Sequence, residues 1–332
     1  MNLAVLRYLV RMSSASNSAI DSTFKELIMH SVTFPSNGLT IAAHLYLPTG
    51  DGPHAAIVVG HPGSSVKEQS SGLYARQLAE LGYIALAFDA AYQGESAGLP
   101  RGLEDPAQRV EDFKAAVSYL TTRTDVDPQR IGALGICASG GYVTTAAATD
   151  HRIQAVATVS AADIGRHLSR GADAQQSPAV LQTLLDTAAA ARTAVARGAS
   201  LGALPLFPAD AEQARAGGLH SFEGWEYYCT PRGEHPRSAR TLTWDSVDRI
   251  ASYDAFRFIH LIAPRPLLMI AGTEAITAWM SEEAIAQAQE PKELYRIEGA
   301  THVELYDRKV GLAVGKLAEF FSQHLASRSE KA

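Results

Sequence analysis

Apolar residues along this chain gather in short dense runs, separated by polar stretches that carry glycine and proline. Runs of about five to seven residues bounded by turn signals predict buried strands, and longer stretches with helical spacing predict the helices between them. Residues 30–34 and 39–47 are β-prone and joined by Pro35-Ser36-Asn37-Gly38; an Asn-Gly pair between such runs predicts a hairpin. Residues 55–60 (A-A-I-V-V-G), 83–88, 131–136, 153–159, 266–271 and 293–297 predict six further strands, of which 55–60 is apolar throughout, as a strand covered on both faces requires. Helices are predicted over residues 72–81, 106–120, 142–148, 282–289 and 310–325, with a short one over 24–29. Residues 1–28 are expected to form an extension ahead of a single domain over 29–332. The alternation breaks over about 164–250, where only 181–197 is clearly helical. That break predicts a cap inserted after the sixth strand.

Composition narrows the function classes. The chain has 332 residues, is 46% hydrophobic and carries a formal net charge of -6, without basic clusters. Such a balance gives no footprint for nucleic acid. No apolar run reaches membrane-spanning length, and the first residues lack the continuous apolar core of a signal peptide. Two cysteines, Cys137 and Cys229, make no disulfide framework and suit a reducing compartment, so a cytoplasmic location is expected. The expected partner is a small-molecule substrate, with neither nucleic acid nor membrane; a homodimer is the assembly left open. No cofactor and no metal is expected.

The chemistry centres on residues 130–142, R-I-G-A-L-G-I-C-A-S-G-G-Y. A predicted strand turns there into an alanine-rich helix, with Cys137 at the tip and small residues around it. A nucleophile on a strained strand-to-helix turn is the nucleophile elbow of the α/β-hydrolase fold. Ser139 is the rival nucleophile, but that register removes the glycine the tight turn requires. Amides at the start of the new helix favour negative charge, so they are expected to lower the thiol pKa. The loop after the third strand, His61-Pro62-Gly63-Ser64, is expected to supply one oxyanion amide. Pro62 has no N–H, which leaves Gly63 or Ser64 as the donor, with Ala138 as the second. His302 lies in the loop after the last strand, the place of the general base in this fold. Asp89 and Glu95 read as loop-holding carboxylates. Glu274 is the expected acid behind His302, with Asp163 the runner-up. Aromatic residues Trp225, Tyr227 and Tyr228 fall together in the cap, packing it on the core or lining a cleft; Trp225, Tyr228 and His61 are the expected substrate contacts.

Four segments, H-P-G-S-S-V-K-E-Q, L-A-F-D-A-A-Y-Q-G-E-S, R-I-G-A-L-G-I-C-A-S-G-G-Y and E-G-A-T-H-V-E-L-Y-D, resemble the bacterial α/β-hydrolases related to dienelactone hydrolase. The resemblance spans about residues 30–325. It implies a mostly parallel eight-stranded sheet with helices on both faces, a helical cap after strand six, a cysteine nucleophile at Cys137 and a histidine base at His302. Two departures stand out. Pro62 occupies the place of the glutamate that dienelactone hydrolases carry beside the oxyanion amide, and residues 266–292 contain no aspartate for the acid after the seventh strand.

The expected function is cofactor-free hydrolysis of a small ester, lactone or thioester through a Cys–His–acid mechanism. The alternatives are a lyase, cyclase or isomerase on the same site, or a binding protein without catalysis, because fold alone does not fix function.

Overall fold

The computed structural model describes residues 27–326. Its centre is an eight-stranded sheet in the order β1-β2-β4-β3-β5-β6-β9-β10. Strands β1 (Ile28–Ser36) and β2 (Leu39–Leu47) form the antiparallel hairpin that the sequence predicts. Asn37 and Gly38 turn it, both with positive φ (46° and 79°), as a two-residue hairpin loop matched to strand twist requires. Strand β2 runs antiparallel to β4 (Ile84–Phe88). Every further pairing, through β3 (His54–Gly60), β5 (Val126–Ile136), β6 (Ile153–Val159), β9 (Leu267–Gly272) and β10 (Lys292–Ile297), is parallel. This is the α/β-hydrolase fold.

Two apolar layers sandwich the sheet. On one face, α2 (Pro106–Thr121), α3 (Ser139–Thr149) and α9 (Ala278–Gln287) bury Phe113, Tyr142, Val143 and Met280 against alternate strand residues such as Val58 and Ala133. On the other, α1 (Ser70–Glu80) and α10 (Val310–His324) bury Tyr74, Leu78, Val314 and Phe321 against Ile57, Leu134 and Leu268. Adjacent strand residues point to opposite faces, which is why these strands lack a polar side. The helix expected over 24–29 is corrected: Ile28 and Met29 pair with Leu47 and Tyr46 in the hairpin, and 24–26 lie outside the described residues, as does the expected extension up to residue 26.

Between β6 and β9 the chain leaves the sheet. Helices α4 (Ile164–Arg170), α5 (Pro178–Ala196), α6 (Ala211–Ala216), α7 (Leu219–Cys229) and α8 (Ser246–Ala251) lie there, with a small antiparallel pair, β7 (Ala203–Pro205) and β8 (Thr241–Thr243). The aromatic cluster of the sequence sits on α7. Among the described residues, no helix is long and apolar enough to cross a membrane.

Candidate active site

Strand β5 delivers Cys137 to the carboxyl edge of the sheet, and α3 begins two residues later. Cys137 has φ +53°, a left-handed conformation that costs a non-glycine residue of order 1–3 kcal/mol and must be held in place by its surroundings. They do hold it. The Cys137 N–H donates to the Val159 carbonyl (3.0 Å), while its own carbonyl accepts from Gly140 (2.8 Å) and Ala162 (2.9 Å). The small neighbours are obligatory: a Cβ at Gly135 would stand 2.0 Å from the Ser139 carbonyl oxygen, and one at Gly140 would stand 2.6 Å from the Ala161 Cβ. Both glycines fit an elbow centred on Cys137. Ser139 is buried, and its hydroxyl donates to the His61 carbonyl (2.6 Å), so it braces the neighbouring loop.

The backbone amides of Ala138 and Gly63 and the Tyr306 hydroxyl lie near the Cys137 sulfur and favour its thiolate form. Gly63 and Ala138, the two expected oxyanion donors, therefore converge on one point. Burial nevertheless outweighs these donors and pushes the Cys137 thiol pKa up. The expectation of a lowered thiol pKa is thereby corrected. A helix end contributes about 0.3–1 kcal/mol, under one pKa unit, whereas desolvation moves buried groups by up to about 3–5 units.

His302 follows β10 on a loop seated tightly against β9, where a Cβ on Gly272 would meet the Ala300 carbonyl oxygen at 1.9 Å. Its ring is buried, and its Nε2 lies 3.0 Å from the Tyr306 hydroxyl. With Nε2 accepting from the tyrosine, the neutral ring carries its proton on Nδ1 and donates it to Thr277 Oγ1, 2.5 Å away. Burial, then His220 and His167, hold the His302 pKa well below its ordinary value. Thiol and imidazole thus rest neutral, joined through Tyr306.

The acid expected behind His302 is corrected on both counts. Glu274 is exposed on the loop after β9, where its backbone amide bonds to the Ala300 carbonyl. Asp163 caps α4, accepting from Gly165 (2.9 Å) and Arg166 (3.1 Å), and its second oxygen takes the Ala255 amide (2.9 Å). Thr277 occupies the position instead. A search restricted to carboxylates passes over it, although it sits at the N-cap of α9, a place hydroxyl residues favour. Tyr306, four residues after His302 at the end of a single 3-10 turn, reaches its ring.

His61 is also corrected as a substrate contact. Its Nδ1–H donates to the Pro62 carbonyl (2.6 Å), its Nε2 accepts from Ala90 (3.0 Å), and Arg109 lies 3.0 Å from the same nitrogen. Burial and then Arg109 keep it neutral, and it serves to fix the loop that carries Gly63. Arg109 is itself paired with buried Glu104 (3.0 Å). Lys67 on the same loop gathers Asp89 (2.9 Å) and Glu95 (2.6 Å), in the loop-holding role read for those two acids, and Glu68 (2.8 Å) as well.

A cavity of about 380 Å³ opens above Cys137, bounded by Gly63, Ala138, Tyr228, His302 and Tyr306, with α4, α7, α8 and the β7–β8 pair as its roof. Tyr228 lines it, stacked on Phe207 at 4.6 Å. Trp225 does not: it stacks on Phe222 within α7, half-buried, which corrects its expected place. His167 and His220 line the cavity beside His302, two contacts that the sequence reading passed over. No cluster of metal-ligating residues occurs among the described residues.

Known proteins bear on this arrangement. Residues 37–219 match the family described as X-Pro dipeptidyl-peptidase (S15 family). The chain is similar to the uncharacterized protein YcjY of Escherichia coli, with 39% identity over 86% of this chain and 95% of that one. The crystal structure of the hypothetical protein PA2218 from Pseudomonas aeruginosa superposes with a TM-score of 0.83, at 36% identity over 93% of this chain and 100% of that one. A partial relative, thiohydrolase aneE of Aspergillus aculeatus, shares 35% identity over 37% of this chain and 38% of its own. With dienelactone hydrolase from Anabaena variabilis the likeness is one of fold (TM-score 0.51, 17% identity, 90% of this chain and 98% of that one). The S15 match covers more than half of the chain and includes both Gly63 and Cys137, so the chain belongs to the X-Pro dipeptidyl-peptidase (S15) family and is an enzyme of the hydrolase class.

Proposed function

We propose that this hydrolase cleaves small carboxylic thioesters, and esters or lactones of the same acyl group, with Cys137 as the nucleophile. One observation carries the reading: the Cys137 sulfur, on a backbone held at φ +53°, meets the Gly63 and Ala138 amides and the Tyr306 hydroxyl together. Two backbone donors at a nucleophile are what a tetrahedral oxyanion needs. A sulfur nucleophile is best matched to a thioester, because one C–S bond replaces another and the departing thiolate is a far better leaving group than an alkoxide. The partial relative named thiohydrolase supports the same class.

The proton path follows from the resting contacts. As sulfur attacks the carbonyl carbon, its proton passes to the Tyr306 oxygen while the tyrosine proton moves to His302 Nε2. The carbonyl oxygen becomes an oxyanion held by the Gly63 and Ala138 amides. Collapse expels the thiolate, which takes the proton back along the same path. Water then attacks the acyl-enzyme, giving its proton to His302, and Cys137 leaves as the thiol. Thr277 keeps the Nδ1 tautomer throughout. A neutral hydroxyl supports an imidazolium less than a carboxylate does, and a thiol needs less assistance than a serine hydroxyl.

The test is intact-mass analysis during turnover of N-acetylcysteamine acyl thioesters. The expected result is an acyl adduct on Cys137 and free acid released, with neither in Cys137→Ala. Hydrolysis that survives Cys137→Ala at the wild-type rate overturns the assignment.

A further inference from the structure

The roof of the cavity is mainly apolar, formed by Leu168, Leu206, Phe207, Val247 and Ile250, with Ser221 and two histidines as its polar groups. There His167 and His220 bring two imidazoles into the wall, 6.4 Å apart between ring centroids. The His220 ring stands 5.2 Å from the His302 ring, nearly perpendicular to it, so this polar spot lies close to the reacting end of the cavity. Neither ring serves the proton path described above. The Nδ1 of His220 is buried and makes no hydrogen bond. A buried polar atom without a partner is costly, and a packed leucine there would avoid that cost. Burial lowers the pKa of both rings, that of His220 to about 4, so at neutral pH they are uncharged. An uncharged imidazole in an apolar wall suits a neutral oxygen: a carboxylate would enter unpaired, and an ammonium would have to shed its water without a counter-charge. Glu104, the acid in this wall, is already bound by Arg109 and Tyr142.

We propose that the acyl chain of the substrate carries a hydroxyl or keto oxygen near its carbonyl end, bound by His220 with His167 beside it. The rest of the acyl chain then packs on the apolar roof. This inference rests on the acyl-hydrolase reading above and adds to it the class of acyl group.

Binding to Cys137→Ala protein by calorimetry tests it apart from turnover. The probes are N-acetylcysteamine thioesters of octanoic, β-hydroxyoctanoic, β-ketooctanoic and ω-hydroxyoctanoic acids. The β-oxygenated probes are expected to bind about tenfold tighter than octanoyl, the gain of one buried hydrogen bond. The ω-hydroxy probe is expected to bind no tighter than octanoyl. Adding His220→Phe should bring the β-oxygenated ratio to about one; His220→Leu serves the same purpose if the phenylalanine variant fails to fold. Equal binding of the β-oxygenated and plain probes overturns the proposal, as does a preference that survives the His220 substitutions. Preference in binding without any acyl adduct on Cys137 in the wild type would instead strike the hydrolase reading and leave the pocket assignment standing.

Discussion

Substituting Tyr306 by phenylalanine separates a proton relay from a packing residue. The tyrosine ring is buried against Tyr227 (5.2 Å) and His302 (5.5 Å), contacts that phenylalanine retains. Only the hydroxyl is lost, and with it the link from Cys137 to His302 Nε2. If the hydroxyl carries the proton, the loss is that of general acid–base catalysis, about 10²–10⁴-fold or roughly 3–5 kcal/mol of barrier. If it only packs, the change is an unsatisfied buried Nε2, about 1–3 kcal/mol of stability, with little effect on the chemical step. Single-turnover acylation by a thioester, followed by stopped flow, reads the first quantity, and urea denaturation reads the second. The substitution also removes a hydroxyl that favours the thiolate, so the rate of alkylation by iodoacetamide should rise at higher pH than in the wild type. A well-folded variant that acylates within about threefold of wild type would refute the relay.

Thr277→Val should slow acylation about ten- to a hundredfold by leaving Nδ1–H unpaired, while Glu274→Gln stays near wild type in the same assay. Asp163→Asn should act on stability, because it keeps the cap acceptor but turns an amide donor toward the Ala255 N–H, shifting the urea midpoint rather than kcat. Ser139→Ala should retain most activity, with a modest loss from the freed His61 carbonyl, measured beside an inactive Cys137→Ala. Three histidines should pull folding stability down with acid, against the raised carboxyl pKa values of Asp89, Asp112 and Asp163. His302, His61 and His220 have folded pKa values below the unfolded 6.5, so the unfolded chain takes up protons first. Their contribution is complete above about 6.5 and is lost as pH drops; His220, folded pKa about 4, alone accounts for about 3 kcal/mol by pH 4. Urea titrations from pH 7.5 to about 4 check this, and a flat profile would contradict it.

The fold was legible because its central strands are apolar on both faces, a pattern that short runs such as A-A-I-V-V-G display without ambiguity. The elbow was legible for a steric reason: Gly135 and Gly140 mark where backbone must approach backbone, and they flank Cys137 in the one register that fits both. What escaped depended on three-dimensional neighbours. Thr277 stands 25 residues before His302 and bears no charge to mark it as a ring partner. His61 adjoins the oxyanion loop in sequence, yet its ring turns inward to Ala90 and Arg109. The sign of the thiol shift needed the competition between helix amides and burial, and burial depends on a roof built from residues far along the chain.

If Cys137 is the proposed nucleophile, its resting as a thiol has a consequence for the lifetime of the enzyme. Peroxides and disulfides react with the thiolate, and the climb from sulfenic to sulfinic acid begins only where that form is present and reachable. Cys137 is half-buried beneath the cap and its pKa is raised, so both conditions are poorly met between turnovers. On the proposed mechanism, sulfur becomes strongly nucleophilic only while a carbonyl stands before it and His302 takes its proton. Under oxidant stress such a site should keep its activity longer than a cysteine hydrolase with a standing thiolate–imidazolium pair.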